Sequence, residues 1–249
     1  MVRLLTYNVH RCVGTDRRLD VGRVAEVIAA QSPDIVALQE VDVRRARTGG
    51  VDQAHRIAQR LGMAFHFNAA FKVEEEQFGD AILTTLPERL VKAGAIPGHP
   101  RIPQLEPRGA VWVEIETPDG VLGVINTHLG LVPREQRIQA AALAGKDWAM
   151  AAPPGAPLVL VGDMNATPRS VAYRLMAARM AEARRAAPFS HRAPTFPSTF
   201  PVLAIDHVFA SEGVVIEAVR TPLDPLSRLA SDHLPLVVDL SLPPRRTSA

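Results

Sequence analysis

The sequence contains little cysteine, few aromatic residues and little net charge. Cys12 is the only cysteine in 249 residues, which excludes an internal disulfide and a metal site made of several thiolates. We expect Cys12 to be a small buried residue on the first strand. Aromatic residues make up 5% of the chain, too few for the base-stacking surface of single-strand binders. A formal net charge of +2 does not demand a nucleic-acid partner.

Long apolar runs and several well-known catalytic motifs are also missing. No apolar stretch approaches the ~18 residues of a membrane span, and the N-terminus Met1-Val2-Arg3 lacks the pattern of a secretory signal. We therefore expect a cytoplasmic protein with no membrane span. The chain has no Gly-x-Ser-x-Gly elbow and no glycine-rich phosphate loop, which disfavours a serine hydrolase. His128 and His233 lack the His-x-x-x-His spacing of zinc hydrolases.

Apolar residues make up 47% of the chain, enough for a sizeable core. We expect one domain over 1–249, with a frayed tail from 244. Helical periodicity follows Asp20 and fills 51–61, 134–150 and 170–183, while Pro118-Asp119-Gly120 predicts a hairpin turn. Strands are predicted over 3–9, 35–38, 63–68, 79–84, 89–96, 109–117, 121–127, 158–161, 203–210, 214–219 and 235–240, and a proline-rich surface loop over 186–201. Because both halves alternate buried strands with helices, we predict two sheets packed face to face with helices outside.

Five of these segments share a design in which an apolar run ends in polar groups, and a sixth element places polar groups just before an apolar strand. They include Thr6-Tyr7-Asn8, Leu38-Gln39-Glu40, Asn126-Thr127-His128, Gly162-Asp163-Met164-Asn165, Ile205-Asp206-His207 and Ser231-Asp232-His233. Carboxylates directly after buried strands are costly unless they are paired or bind metal. Each group alone is explained as a cap or turn residue, but six together indicate one site. The oxygen-rich set favours Mg²⁺, Mn²⁺ or Ca²⁺.

In this order, the six motifs resemble those of the endonuclease/exonuclease/phosphatase superfamily, as does Glu106-Pro107-Arg108-Gly109. That group includes pancreatic-type DNase, abasic-site endonucleases, inositol polyphosphate 5-phosphatases and bacterial sphingomyelinases. The resemblance covers residues 4–240 and implies an α/β fold of four layers, α/β/β/α, with two mixed sheets flanked by helices. It also implies a metal-dependent hydrolase of phosphate esters.

The resemblance implies a role for each matched residue. The expected metal ligands are Glu40, Asn8 and Asp232, and the expected substrate contacts are Arg108 and Asn126. The expected catalytic residues are Asp163 for the attacking water, Asn165 and His128 for the phosphate, and His233 held by Asp206. An adjacent carboxylate fixes the tautomer of an imidazole and raises its basicity.

The substrate stays open at this stage, because the superfamily acts on DNA, RNA, phospholipids and small phosphoesters with one core. We expect a monomeric Mg²⁺- or Mn²⁺-dependent phosphodiesterase or nuclease. The alternatives are a phosphomonoesterase acting on lipid, inositol or nucleotide phosphates, and a non-catalytic protein that binds a phosphorylated ligand or partner. Arg44, Arg45 and Arg47 form either a basic rim or a solvated loop. Asp80 stands where the family usually has Asn, and it adds negative charge if its side chain points inward.

Overall fold

The computed structural model describes residues 1–190 and 193–242. The predicted tail from 244 lies outside the described residues. The strands are β1 Val2–Asn8, β2 Ile35–Val43, β3 Ala64–Val73, β4 Glu76–Thr84, β5 Glu88–Ala95, β6 Gly109–Thr117, β7 Gly120–His128, β8 Leu158–Asp163, β9 Ala181–Glu182, β10 Phe189–Ser190, β11 Asp206–Ala210, β12 Val215–Arg220 and β13 Leu236–Ser241. The α-helices are α1 Val21–Ala29, α2 Gln53–Leu61, α3 Pro133–Leu143, α4 Val171–Ala177, α5 Ala183–Ala186 and α6 Pro225–Ala230.

The strands form two mixed sheets. Within the described residues, sheet 1 has the order β10-β12-β13-β1-β2-β4-β3 and sheet 2 the order β5-β6-β7-β8-β11-β9. The pairs β1–β2 and β7–β8 are parallel, and each is joined through a helical crossover, as parallel pairs require. The predicted hairpin connects β6 to β7.

Three apolar clusters define four layers, as the sequence predicted. Alternation along β1 sends Leu4 into the cluster between the sheets and Leu5 into the cluster beneath α1 and α2, because neighbouring strand residues face opposite ways. A third cluster packs α3 and α4 on the outer face of sheet 2, around Leu143 and Tyr173. Within the described residues, no helix is both long enough and apolar enough to cross a membrane.

The helix boundaries follow from local signals. Asp20 caps α1 by accepting a hydrogen bond from the Arg23 amide at 2.9 Å, and Gly62 ends α2 in the left-handed conformation with φ of 66°. The helix predicted over 134–150 ends at Leu143, because Gly145 follows within two residues and is a poor helix former. The helix predicted over 170–183 ends at Ala177.

Strand pairing determines the secondary structure of the residues that follow α4. Ala181 and Glu182 pair with β11, so sheet hydrogen bonds replace the helix that local propensity favours. The strand predicted over 203–210 begins only at Asp206. Before it, Leu203 pairs with Phe196 across an isolated bridge, which bends residues 194–203 into a compact arch.

Candidate active site

Three polar side chains from neighbouring strands of sheet 2 lie side by side at one end of the sandwich. Asp163 at the end of β8 is in register with His128 at the end of β7 and with Asp206 at the start of β11. The Asp163 carboxylate lies 3.4 Å from His128 Nε2. Strand pairing alone therefore assembles this part of the site.

Sheet 1 brings Asn8 and Glu40 to the same place. A bulge in β2 between Leu38 and Val41 leaves Glu40 with a φ of 57°, and bulges of this kind redirect a side chain. Asn8 Nδ2 donates to Glu40 Oε1 and to Asp163 Oδ2, both at 3.0 Å. This amide thus connects the carboxylates of the two sheets.

His233, which precedes β13, completes the cluster with Asp206 behind it. His233 Nδ1 lies 3.0 Å from Asp206 Oδ2, and Nε2 lies 3.6 Å from Asp163 Oδ2. Burial lowers the pKa of His233, but the Asp206 and Asp163 carboxylates outweigh it and raise that pKa to about 10. The imidazole is therefore cationic at neutral pH, with its Nε2–H directed toward Asp163.

The two carboxyl groups of the cluster shift in opposite directions. Burial and then the charge of Asp206 raise the pKa of Asp163 to about 7. Burial also disfavours ionisation of Asp206, but the cation of His233 and the hydroxyl of Thr195 hold its pKa below the ordinary value. Two nearby groups with separated pKa values are typical of a site that moves protons.

His128 stays neutral and has a defined tautomer. Arg108 Nη1 lies 2.9 Å from His128 Nδ1, and arginine can only donate, so Nδ1 accepts and Nε2 carries the proton. Burial and then the charges of Arg108 and His233 lower the pKa of His128 well below its ordinary value. The Nε2–H therefore faces the Asp163 carboxylate.

Arg108 and Asn165 hold the edges of the cluster. Arg108 is buried and pairs with Glu106 at 2.9 Å, so it orients His128 from behind. Asn165 has a φ of 46°, and its backbone amide donates to Asp163 Oδ1 at 2.9 Å. Its side-chain Nδ2 donates to the Leu129 carbonyl at 2.9 Å, and its 3.0 Å approach to His128 Nε2 is a contact between two donors and not a hydrogen bond.

Residues 194–203 form an arch that supports the cluster, whereas the sequence predicts only a surface loop there. Thr195 is fully buried and donates to Asp206 Oδ2 at 2.5 Å. The Phe196 ring packs against the His233 imidazole with centroids 4.8 Å apart. Ser198 is also fully buried, and its amide donates to the Asp232 carbonyl at 2.7 Å. A proline-rich stretch directly before Asp206 was the available signal.

Asn8, which the sequence predicts as a metal ligand, faces the carboxylates of the site with its amide nitrogen and not with its oxygen. Its Nδ2 faces the carboxylates, while its Oδ1 accepts from the His10 amide at 3.0 Å. An amide nitrogen that donates hydrogen bonds has no lone pair for a hard cation. Asn8 thus orients Glu40 and Asp163. His10, which no sequence motif pointed to, places its Nδ1 3.7 Å from Asp232 Oδ1.

The remaining donors suit a divalent cation that prefers oxygen. Asp163, Asp206 and His233 offer ligand atoms within 4.8 Å of one another, although the cationic imidazole opposes a metal between them. Glu40 is only partly buried and Asp232 is 40% exposed, so both carboxylates are accessible. The Ser231 hydroxyl donates to the Asn8 carbonyl at 2.8 Å, which holds the turn of Asp232 beside the end of β1.

Asn126, which the sequence predicts as a substrate contact, lies behind the cluster, where a substrate cannot reach it. Its side chain is fully buried. It donates from β7 to the carbonyls of Leu38 at 2.8 Å and Ala81 at 2.9 Å in sheet 1. Its Oδ1 accepts from Gln39 Nε2 at 2.7 Å. All of its polar atoms therefore join the two sheets.

Asp80 points inward, and its surroundings oppose ionisation of its carboxyl. It is buried on β4. Burial raises its pKa well above the ordinary value, and the charges of Glu40 and Asp163 add to this against the opposing effect of Arg108. A protonated carboxyl has the shape of an asparagine amide and one donor, so the raised pKa favours the form that most resembles the usual Asn.

Carboxylates neutralise the three arginines that follow Glu40, for which a basic rim and a solvated loop were the alternatives. Arg44 pairs with Glu75 at 2.7 Å and Arg47 with Asp42 at 2.7 Å. Arg45 pairs with Glu76 at 3.3 Å. The solvated-loop alternative therefore describes these arginines better.

The chain matches a known protein family along most of its length. A family model described as Endonuclease/Exonuclease/phosphatase family matches residues 5–233. The uncharacterized protein YbhP of Escherichia coli (strain K12) is 25% identical over 250 residues, which cover 96% of each chain.

Solved structures show the same fold at low sequence identity. An endonuclease/exonuclease/phosphatase from Beutenbergia cavernae superposes with a TM-score of 0.79 at 24% identity, covering 97% of this chain and 71% of that one. A mannosyl-6-phosphatase from Bacteroides thetaiotaomicron gives 0.76 at 17% identity, covering 97% of this chain and 100% of that one.

Proposed function

Because the chain belongs to the endonuclease/exonuclease/phosphatase family, we propose that it hydrolyses phosphodiesters with a divalent metal ion, Mg²⁺ or Mn²⁺. The observation that carries the proposal is the convergence of Asp163, His128 and the His233–Asp206 pair with Glu40 at one end of both sheets. These are the acid, base and metal-binding groups that phosphoester hydrolysis requires.

Each group has a role that its environment supports. Asp163, with a pKa raised to about 7, accepts the proton that the attacking water loses as its oxygen bonds to phosphorus and the bond to the leaving oxygen breaks. The His233 cation donates from Nε2 to a phosphate oxygen, and Asp206 keeps it protonated and oriented. Neutral His128 and Asn165 provide further polar contacts at the phosphate.

Glu40, with Asp232, holds the metal ion in this proposal. The bound cation would supply Lewis-acid stabilisation of charge on the phosphate oxygens. Asn8 keeps the Glu40 carboxylate aligned through its hydrogen bond at 3.0 Å, in the way that groups around a metal site orient its ligands.

The charge of the cluster favours a diester over a monoester. Among the described residues of the cluster, His233 is the cation that is free to face a phosphate, because Arg108 is held by Glu106 and His128. One imidazolium and one metal ion suit the single charge of a diester. A monoester carries close to two charges at pH 7, and Asp163 and Glu40 would repel it more strongly.

Hydrolysis of bis-p-nitrophenyl phosphate tests the proposal. We expect Mg²⁺-dependent turnover that is lost in Glu40→Ala and in His233→Ala, and retained in the matched surface variants Glu26→Ala and His55→Ala. Equal activity in the site variants would refute the assigned roles. Tight binding of phosphate esters without turnover of any of them would indicate a binding protein. Faster turnover of p-nitrophenyl phosphate than of the diester would indicate a phosphomonoesterase.

A further inference from the structure

A cavity lined by arginines adjoins the candidate active site. It has a volume of about 600 Å³ and lies between the beginnings of α3 and α4. Arg134, Arg137 and Arg169 line it together with Gln136 and Ser170. No role proposed above uses these side chains.

The three arginines have no carboxylate partners among the described residues, and all three are exposed. They differ in this from Arg44 and Arg47, which are neutralised by ion pairs. Glu135 belongs to the same turn of α3, but it is buried and packs against Gly130. The cavity therefore carries an uncompensated positive charge.

Gln136 connects this cavity to the candidate active site. Its Nε2 donates to the Asn165 carbonyl at 2.8 Å and to the Gly130 carbonyl at 2.9 Å. Arg169 follows Asn165 by four positions along the chain. The segment that holds Asn165 against Asp163 therefore continues directly into the wall of the cavity.

We propose that Arg134, Arg137 and Arg169 bind a further phosphate of the substrate, next to the phosphate that is cleaved, and that the substrate is a nucleic-acid strand. This inference rests on the proposed phosphodiesterase function. Guanidinium groups bind phosphate oxygens in pairs, and a strand supplies further phosphates beside the reacting one. A strand carries its neighbouring phosphates on the same chain as the reacting one, whereas the phosphates of a bilayer lie on separate lipid molecules.

The test compares two triple variants of the whole chain. The first is Arg134→Gln, Arg137→Gln and Arg169→Gln. The second is a control of equal charge change, with Arg56→Gln and Arg60→Gln on α2 and Lys146→Gln beyond the far end of α3. Fluorescence anisotropy with EDTA measures binding of a labelled oligothymidylate, and kinetics with Mg²⁺ measure kcat/KM for that oligonucleotide and for bis-p-nitrophenyl phosphate.

We expect the arginine variant to bind the oligonucleotide about tenfold more weakly than wild type and control. The slope of its log binding constant against log salt concentration should become shallower by about 0.7 for each lost phosphate contact. The ratio of oligonucleotide to small-ester kcat/KM should fall about tenfold in that variant only. Equal oligonucleotide binding by all three proteins would overturn the arginine site. The proposal would also be overturned if the arginine variant lost binding to anionic phospholipid vesicles and kept its binding to the oligonucleotide.

The two proposals fail in different ways. Wild-type protein that hydrolyses neither ester would overturn the phosphodiesterase function, and the anisotropy comparison would still decide whether the arginines bind a phosphate strand. Normal turnover of the small ester with no difference between the triple variants would overturn the arginine site alone.

Discussion

Replacing Asn126 tests whether this buried amide joins the sheets or contacts the substrate. Asn126→Ala removes three hydrogen bonds between fully buried groups of the two sheets, two to the carbonyls of Leu38 and Ala81 and one from Gln39 Nε2. Gln39 Nε2 loses one acceptor but keeps Thr6 Oγ1 at 3.0 Å. Each lost hydrogen bond contributes about 1 kcal/mol and the truncation leaves a cavity between the sheets, so we expect the free energy of unfolding to fall by about 4 kcal/mol. For a chain of this size that corresponds to a loss of about 8–16 °C in Tm.

Urea denaturation at pH 7 and calorimetry measure the loss of stability. Steady-state kinetics measure KM at a temperature below the unfolding transition of the variant. We expect KM for bis-p-nitrophenyl phosphate to change by less than about twofold, because removing a residue that does not touch substrate leaves substrate binding intact. Asn126→Leu keeps the side-chain volume and should lose similar stability, while exposed Gln59→Ala serves as control. A loss under about 1 kcal/mol together with a raised KM would refute the bridging role and support a substrate contact.

Three further predictions follow from other contacts. Asp239→Asn should lower the free energy of unfolding by about 1 kcal/mol at pH 7 and by less below about pH 4. Two arginines lower the folded-state pKa of Asp239, and the stabilisation that they provide is lost as pH falls through that pKa. Urea titrations at both pH values measure the loss, and an equal loss at both would contradict the prediction. Thr195→Val removes a hydrogen bond to Asp206, so kcat should fall several-fold with KM nearly unchanged, while Thr195→Ser should keep kcat near the wild-type value. Stopped assays measure both constants, and an unchanged kcat in Thr195→Val would contradict this role of Thr195. EDTA should abolish hydrolysis, and Mg²⁺ at 100-fold above its Kd should stabilise the wild type by about 2.7 kcal/mol but not Glu40→Ala; calorimetry measures the shift, and equal shifts would contradict the role of Glu40.

The sequence predicted the layers and strand ends well because those depend on hydrophobic periodicity. Alternation along β1 and the buried run of β8 define the sheets, and the polar residues that end those runs meet at one edge. The hairpin at Pro118-Asp119-Gly120 was equally local. Such features need no knowledge of distant contacts.

The directions and partners of individual side chains could not be predicted in the same way. Asn126 and His128 share a face of β7, but Asn126 lies two residues deeper, about 7 Å from the rim, so it reaches the other sheet rather than the site. The role of Asn8 depends on which atom of its amide faces Glu40. The helix predicted through Ala183 was lost to pairing between Ala181–Glu182 and β11. These outcomes depend on contacts between residues far apart in sequence.

The candidate site spans the joint between two sheets, with Asn8 of β1 binding Asp163 of β8 across it. Neither sheet alone holds a complete set of groups, so the proposed activity depends on the spacing and alignment of the two sheets. Mild heat or low urea that loosens this joint should abolish turnover while each sheet keeps its circular dichroism. In this molecule, catalysis would serve as a more sensitive gauge of sheet docking than any measure of strand content.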